Sequence, residues 1–305
     1  MSQHDLTEQP TTVTKPGWWH DMPEDVYYGD PVPGGSLSAS MCKVLVQPGG
    51  PAKLRQELDH PRPPKPVFDI GHAAHKLVLG VGAELELVPH AEWRSKEAKA
   101  AVAQAREAGR IPLKPVDYDR AHAMAEKLDK HPVASRLLTD VRPEVSAFRQ
   151  HGSGVWLRTR IDAVGNGYIA DYKTTRSADP DAFRRDSANL GYHVQSAFYV
   201  AMSDALEGLP DSPEFYFITQ EKEPPYLVSV AELSPTFLAI GAAAVEHAID
   251  LWQQCTATGE WPGYPGGITT LEPPPWLRSP GPDDTTASLD PAIEAAFADL
   301  IGESL

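Results

Sequence analysis

The spacing of apolar residues divides the chain into a helical first part and a later part that contains strands. Up to about residue 140, apolar residues recur three and four positions apart, a spacing typical of helices. Helices are predicted at 41–46, 52–58, 68–79, 95–108, 115–130 and 132–139. A short strand over 84–89 interrupts this helical part.

From residue 144 onward the apolar positions alternate with polar ones, which is typical of half-buried strands. Strands are predicted at 144–150, 155–164, 168–172, 214–219 and 226–231. Helices are predicted at 179–187, at 191–206 and from Ser234 to about residue 258. The predicted fold class is therefore α/β or α+β, with a central mixed sheet flanked by helices and a candidate site at the strand ends.

The ends of the 305-residue chain differ from its middle. Residues 1–17 are polar and are predicted to be disordered, whereas 18–277 are predicted to form a single domain. Residues 278–305 are predicted to be a flexible tail with a possible short helix over 290–301.

Composition narrows the class of protein. Hydrophobic residues make up 41% of the chain, enough for a core, and no run approaches the roughly 18 apolar residues of a membrane span. The N-terminus lacks the apolar centre of a signal peptide. The two cysteines, Cys42 and Cys255, lie far apart, which argues against a disulfide framework, a cysteine-rich zinc site or an iron–sulfur cluster. We expect a cytoplasmic protein with no membrane partner.

The net charge of −15 argues against a nonspecific nucleic-acid coat. It does not exclude a nuclease, because local basic patches and a bound metal can offset an acidic exterior. Most basic clusters are interpreted as solvated surface. Arg158 and Arg160 are stronger candidates for contacts with a substrate, since strand alternation places them on the same face as Asp162.

Two aspartates and a lysine stand at the ends of consecutive predicted strands. Asp162 ends one apolar run, and Asp171 and Lys173 lie on the next, where both point to the same face. Residues 165–167 (Gly-Asn-Gly) suit a tight hairpin, which would bring Asp162 beside Asp171. Hard oxygen ligands of this kind suit Mg²⁺.

Other polar residues are ambiguous when each is taken alone. His72 and His75 share a face of the helix at 68–79, where a buried histidine is more often a core residue than a ligand. Gln195 and Tyr199 form one stripe of a helix that otherwise packs on the sheet. Glu144 is the first residue of a predicted strand. It is either an exposed strand end or a further carboxylate near the metal. The sequence contains neither a P-loop nor a Gly-x-Ser-x-Gly elbow.

Taken in order, these pieces resemble the PD-(D/E)XK nuclease superfamily. The acidic residue that ends a strand is matched by Asp162, and the following (Asp/Glu)-x-Lys by Asp171-Tyr172-Lys173. The RecB-like branch adds Gly-x-x-x-His, matched at 71–75, and Gln-x-x-x-Tyr, matched at 195–199. Within this superfamily the chain looks most similar to RecE-type exonucleases of phages and prophages. Two departures are Gly80, where an acidic residue is usual, and Ile161, where the motif has proline.

The resemblance implies a restriction-endonuclease-like core and a metal-dependent exodeoxyribonuclease. Such an enzyme digests linear double-stranded DNA from 5′ ends and leaves 3′ single strands for recombination with a RecT-like annealing protein. It further implies a ring-shaped homo-oligomer threaded by DNA, acting in the bacterial host cytoplasm.

The resemblance also implies roles for individual residues. Asp162, Asp171 and the Tyr172 backbone carbonyl are expected to bind Mg²⁺, with Mn²⁺ able to substitute. His75 is expected as another ligand or as a partner of one, and Glu144 is a weaker candidate. Lys173 is expected to orient the attacking water and to stabilise the developing charge. The listed remainder of the site is Gln195 and Tyr199, holding the substrate phosphate or Lys173, and Arg160, contacting the DNA backbone.

Three alternatives remain open. The first is a RecB-like nuclease that acts on single-stranded DNA or flaps. The second is a catalytically silent DNA-binding module of the same fold. The third is a globular protein in which Asp-x-Lys occurs by chance, which would require the histidine, glutamine and tyrosine matches to be accidents as well.

Overall fold

The structure, a computed structural model, describes residues 12–61 and 69–272. The strands in these residues are β1 (Gly17–Trp19), β2 (Leu37–Ser38), β3 (Leu85–Leu87), β4 (Ile111–Leu113), β5 (Arg142–Gln150), β6 (Trp156–Val164), β7 (Tyr168–Thr175), β8 (Glu214–Glu221) and β9 (Val228–Glu232). The helices are α1 (Glu24–Tyr28), α2 (Ala39–Leu45), α3 (Gly50–Asp59), α4 (Asp69–Leu79), α5 (Lys96–Glu107), α6 (Pro115–Asp129), α7 (Ala134–Leu137), α8 (Pro180–Asn189), α9 (Tyr192–Asp204) and α10 (Pro235–Thr258).

A mixed sheet forms the centre of the fold. Its strands lie in the order β1-β5-β6-β7-β8-β9. The short strand β2 is a seventh member, which pairs with β6 and is not part of this linear order. The pairs β7–β8 and β2–β6 are parallel, and the remaining pairs of this sheet are antiparallel. Strands β3 and β4 form a separate two-stranded parallel sheet. The predicted mixed sheet is confirmed.

Helices cover both faces of the sheet because neighbouring strand residues point to opposite sides. On β8, Phe217 packs into a cluster with residues of α2, α9 and α10. The next residue, Ile218, packs into another cluster with residues of α4 and α6. Both side chains are fully buried. The result is a three-layer arrangement of the predicted α/β class.

The helix predictions agree well with the structure, and several helix ends have identifiable caps. Ser234 precedes α10, and its Oγ accepts a hydrogen bond from the Phe237 backbone N–H. Pro235 stands in the first turn, where its missing N–H costs no helical hydrogen bond. Ser38 caps α2 in the same way, through the Met41 N–H.

The packed structure begins closer to the N-terminus than the sequence predicts. Val13 is 1% exposed, and its N–H donates to the Pro31 carbonyl at 2.8 Å. Strand β1 pairs with β5, and the buried Trp19 and Tyr27 contact Phe148. The prediction of disorder over 1–17 is therefore wrong for residues 12–17, and the rest of that segment lies outside the described residues.

The chain divides into two compact units, residues 1–264 and residues 265–305. The first unit ends before the predicted domain boundary at 277. Of the second unit the structure describes residues 265–272, so the predicted tail over 278–305 and its helix lie outside the described residues. Among the helices of the described part, none has the length and apolar character needed to cross a membrane.

Candidate metal centre

The predicted hairpin is present, and its two strands separate at the acidic residues. Strands β6 and β7 are paired at Ala163–Ala170 and Val164–Ile169, next to the turn. In this register Asp162 and Asp171 would form the next pair, but the ladder ends before them. The Tyr172 backbone N–H instead donates to Asp162 Oδ2 at 3.0 Å. A side-chain carboxylate thus takes the place of a ladder acceptor and opens a gap between the strands.

Glu144 approaches the same place from the other side of β6. The β5–β6 register pairs Pro143 with Ala163 and Val145 with Ile161, which places Glu144 opposite Asp162. Its backbone φ is +50°. A glutamate in this left-handed region costs on the order of 1–3 kcal/mol, and such strain occurs mainly at functional sites. Glu144 therefore lies directly at the acidic cluster, whereas the sequence analysis predicted it only as a weaker candidate ligand.

His75 lies between these two carboxylates. Helix α4 is anchored by the fully buried Ala73 and Ala74, which hold the next turn against the sheet. His75 Nε2 lies 3.2 Å from Asp162 Oδ2, and its Nδ1 lies 3.5 Å from Glu144 Oε1. One ligand atom from each of the three residues falls within 4.8 Å of the others. The predicted histidine is thus part of the cluster, whereas His72 on the same helix is exposed.

The charges of this cluster shift one another's pKa values. Burial would lower the pKa of His75, but the neighbouring Asp162 and Glu144 carboxylates raise it to about 9. Burial would raise the pKa of Asp162, but the His75 charge and hydrogen bond hold it below its usual value. Burial and the Asp162 charge raise the pKa of Glu144 to about 7. Such shifts mark a place where several acidic groups compete for positive charge.

Asp171 is held by Lys173 and by Gln195, although Gln195 was predicted to hold the substrate phosphate or Lys173. Gln195 Nε2 on α9 donates to Asp171 Oδ1 at 2.6 Å. Lys173 Nζ lies 2.5 Å from Asp171 Oδ2, an ion-pair distance, although this contact lacks the angles of a hydrogen bond. Asp171 is 1% exposed, and burial, opposed by Lys173, raises its pKa to about 6. The Asp171 carboxylate also raises the pKa of Lys173 against the effect of burial, which keeps the ammonium charged.

Arg160 has internal partners where a DNA contact was predicted. Its Nε lies 3.4 Å from Glu144 Oε2 and donates to Ser146 Oγ at 3.1 Å, and its NH2 donates to the Met22 carbonyl. The side chain is 8% exposed. These contacts favour a role in holding Glu144, and the DNA contact stays a prediction.

The contacts of Tyr172 and Tyr199 do not test the roles predicted for them, so these roles stay predictions. The Tyr172 hydroxyl donates to Gln220 Oε1 at 2.6 Å, which anchors the residue whose backbone carbonyl is the expected ligand. Tyr199 packs against the main core cluster, 6.1 Å between ring centroids from Phe215. Burial raises the Tyr199 pKa well above its usual value, so the hydroxyl is neutral.

Lys43 belongs to the neighbourhood of the site, beside Tyr192, but was missed from the sequence. The Tyr192 ring centroid lies 5.5 Å from Lys173 Nζ and 5.6 Å from Lys43 Nζ. Lys43 stands on a short amphipathic helix far along the chain from the motif, and no local pattern distinguishes it from a surface lysine. Its proximity follows from the packing of α2 beside the start of α9.

The donor set fits a hard divalent cation. Two carboxylates and an imidazole converge, and a cation between them would offset the repulsion that raises the pKa of Glu144. Oxygen-rich ligand sets with one histidine suit Mg²⁺ or Mn²⁺. Asp171 stands beside this set with its carboxylate engaged by Lys173 and Gln195.

Comparisons with known proteins agree with this fold. Residues 38–273 match the family described as PDDEXK-like domain of unknown function (DUF3799). A candidate exonuclease from Eubacterium rectale is similar in structure, with a TM-score of 0.55 and 13% identity, over 84% of this chain and 94% of that one. No curated protein matches.

Two further structures cover most of their own length but align poorly. An alkaline exonuclease from Laribacter hongkongensis, LHK-Exo, has a TM-score of 0.26 and 11% identity, over 64% of this chain and 95% of its own. LHK-Exo in complex with dAMP has a TM-score of 0.26 and 13% identity, over 61% of this chain and 89% of its own. Likenesses of this quality support no conclusion about function.

Proposed function

Because the chain belongs to the PDDEXK-like family of domains of unknown function (DUF3799), we propose that it is a divalent-metal-dependent exodeoxyribonuclease. Its proposed substrate is linear double-stranded DNA, digested from 5′ ends to leave 3′ single strands. The observation that carries the proposal is the convergence of His75, Glu144 and Asp162 beside the Asp171–Lys173 pair. Mg²⁺ is the proposed ion, with Mn²⁺ able to replace it.

His75, Glu144 and Asp162 are the residues that would hold the ion, together with Asp171 and the Tyr172 carbonyl. When bound, such an ion polarises phosphoryl oxygens and makes water more acidic, which is the chemistry that phosphodiester hydrolysis needs. Arg160 holds Glu144 in place from behind, through the 3.4 Å contact between its Nε and Glu144 Oε2. The Tyr172 N–H holds Asp162 in the same way.

Lys173 supplies the positive charge that stabilises the reacting phosphate. Its ammonium stays protonated because Asp171 lies 2.5 Å away. A charged donor fixed in a partly dehydrated site stabilises the charge that develops on the phosphoryl oxygens and orients the attacking water. Gln195 fixes Asp171, and through it the position of Lys173.

The first test is a digestion assay with the purified full chain. Linear duplex carries the label at the 5′ end or at the 3′ end, and Mg²⁺ is added or chelated with EDTA. We expect early release of the 5′ label, no release in EDTA, and a loss of activity of about 100-fold or more in Asp162→Asn and Lys173→Met. Matched controls are Asp250→Asn on α10 and Lys130→Met directly after α6, which remove the same charges from exposed positions.

The outcomes separate the alternatives. Preferential digestion of single-stranded or flap substrates would replace the duplex assignment with the RecB-like one. Binding of DNA without cleavage of any substrate would indicate a silent module. Normal digestion by Asp162→Asn or Lys173→Met would refute the proposed site.

A ring-shaped homo-oligomer and a RecT-like annealing partner are also part of the proposal. Their support is the resemblance of the sequence motifs to RecE-type exonucleases. Light scattering of the purified chain gives the mass in solution, and a monomer at micromolar concentration would contradict the ring.

A further inference from the structure

Lys43 is a half-buried lysine whose side chain is directed toward the proposed catalytic lysine. It stands on α2, next to the fully buried Cys42. Its Nζ lies 5.6 Å from the centroid of the Tyr192 ring, and Lys173 Nζ lies 5.5 Å from the same centroid. One aromatic ring therefore serves two ammonium groups. A cation–π contact attracts an ammonium group without neutralising its charge.

The two lysines differ in their partners. Lys173 is paired with Asp171, whereas Lys43 has no ion pair with a carboxylate among the described residues. Burial and the charge of Lys173 lower the pKa of Lys43 to about 8, against the opposing effect of Asp171. A second positive charge beside a paired one is unfavourable unless an anion is present.

The backbone is arranged to accommodate this side chain. Gly191 precedes α9 with φ +68°, and a Cβ at this position would stand 2.9 Å from Lys43 Cγ and Cδ. Any larger residue would push the lysine away from the Tyr192 ring. The side chain thus packs against the start of α9, on the same aromatic ring as Lys173.

We propose that Lys43, together with Tyr192 and Lys173, forms a phosphate-binding subsite in which Lys43 binds a backbone phosphodiester of the substrate strand. The unpaired ammonium supplies the charge, and the ring limits its freedom of movement. Because such a contact reads phosphate and no base, it positions the strand without sequence preference. This inference rests on the proposed nuclease function and adds a residue to it.

The test measures binding and cleavage with the same preparations of the full chain. Fluorescence anisotropy with a labelled duplex in EDTA gives the dissociation constant at several salt concentrations. For Lys43→Met we expect binding on the order of tenfold weaker and a salt slope lower by about one, as for the loss of one phosphate contact. The KM for duplex in Mg²⁺ should rise in proportion, equally for duplexes of different sequence.

Two variants serve as controls. Lys43→Arg keeps the charge that attracts phosphate and should bind within about twofold of wild type, which would assign the loss in Lys43→Met to the missing charge. Lys130→Met removes the same charge from the exposed residue that follows α6 and pairs with Glu126, and it should leave binding and slope unchanged. Melting temperatures of all variants check that each is folded.

The results distinguish the two levels of the proposal. If wild type digests DNA but Lys43→Met binds and cuts as Lys130→Met does, the subsite is refuted and the nuclease stands. If wild type neither binds nor cuts DNA, both are refuted. If Lys43→Met fails to fold, the comparison of Lys43→Gln with Lys43→Arg replaces it, and equal binding by these two refutes the subsite.

Discussion

Three ionisable side chains of the candidate metal centre, His75, Glu144 and Asp162, influence one another's protonation because each is partly removed from water. The neighbouring carboxylates raise the pKa of His75 to about 9, while burial and the Asp162 charge raise the pKa of Glu144 to about 7. A divalent cation would take the place of these protons. The same residues therefore bind either protons or metal, and metal binding should release protons.

The stability of the metal-free protein should fall as the pH rises. The pKa of His75 is raised from 6.5 to about 9, so the folded state binds an extra proton between these values. Its stabilising contribution is complete below pH 6.5 and is lost as the pH rises through 9. Glu144, raised from 4.5 to about 7, acts in the same direction at lower pH. Lys43, whose pKa is lowered to about 8, acts in the opposite direction and offsets part of the His75 effect. Urea unfolding in EDTA should therefore give a free energy of unfolding about 1 kcal/mol lower at pH 9 than at pH 7.

The variant His75→Gln isolates the histidine contribution. It should show a smaller fall between pH 7 and pH 9 than wild type, since the other titrating groups are common to both proteins. An equal fall in the two proteins would show that His75 is not protonated in the folded state.

The positions of single residues are predictable where they follow a motif and unpredictable where they depend on packing. The sequence placed His75, Asp162, Asp171, Lys173 and Gln195 in one site, and the structure brings all five together. Glu144 was predicted only as a weaker candidate ligand. Its left-handed backbone and its position opposite Asp162 are set by the β5–β6 register, which the local sequence does not reveal. It missed Lys43, whose neighbours belong to a helix about 150 residues away.

At the scale of elements, long amphipathic helices and paired central strands follow from local patterns. The strands β5 to β9 have apolar alternation and are bounded by turns or, between β7 and β8, by the helices α8 and α9, so their existence is visible in the sequence. Strands β1 and β2 are two or three residues long and pair with β5 and β6, far along the chain. So short a segment contains no measurable periodicity, and its conformation is fixed by the partner.

The contact between α9 and α10 depends on a glycine in a helix. A Cβ at Gly241 would stand 2.1 Å from the His193 carbonyl oxygen, in the first turn of α9. Helix propensity alone predicts that Gly241→Ala gains about 1 kcal/mol. Overpacking of this contact costs about 1–3 kcal/mol or more. We expect a net loss of stability in urea unfolding, and lower activity because α9 carries Gln195.

The control for this prediction is Ala243→Gly, an exposed position of the same helix. It should lower the free energy of unfolding by up to about 1 kcal/mol through propensity alone. A gain of stability in Gly241→Ala would mean that the two helices are not in close contact.

At the scale of the whole molecule, the charge of −15 opposes both DNA binding and the gathering of carboxylates at one site. A divalent cation reduces both problems, since it neutralises the acidic cluster and attracts phosphate. The first compact unit, residues 1–264, holds every element that contributes a residue to the centre. Metal binding and the folding of this unit are therefore thermodynamically linked.

We accordingly expect Mg²⁺ or Mn²⁺ to raise the melting temperature of the full chain. A ligand at 100 times its dissociation constant stabilises the folded state by about 2.7 kcal/mol, which corresponds to a shift of several degrees for a chain of this size. Differential scanning fluorimetry measures the shift, with a sodium salt of equal ionic strength as the reference. Asp162→Asn should abolish most of the shift, whereas Asp250→Asn, an exposed carboxylate on α10, should retain it. A shift of the same size in both variants would place the bound cation elsewhere on the acidic surface, because a surface ion gains nothing from the arrangement of His75, Glu144 and Asp162.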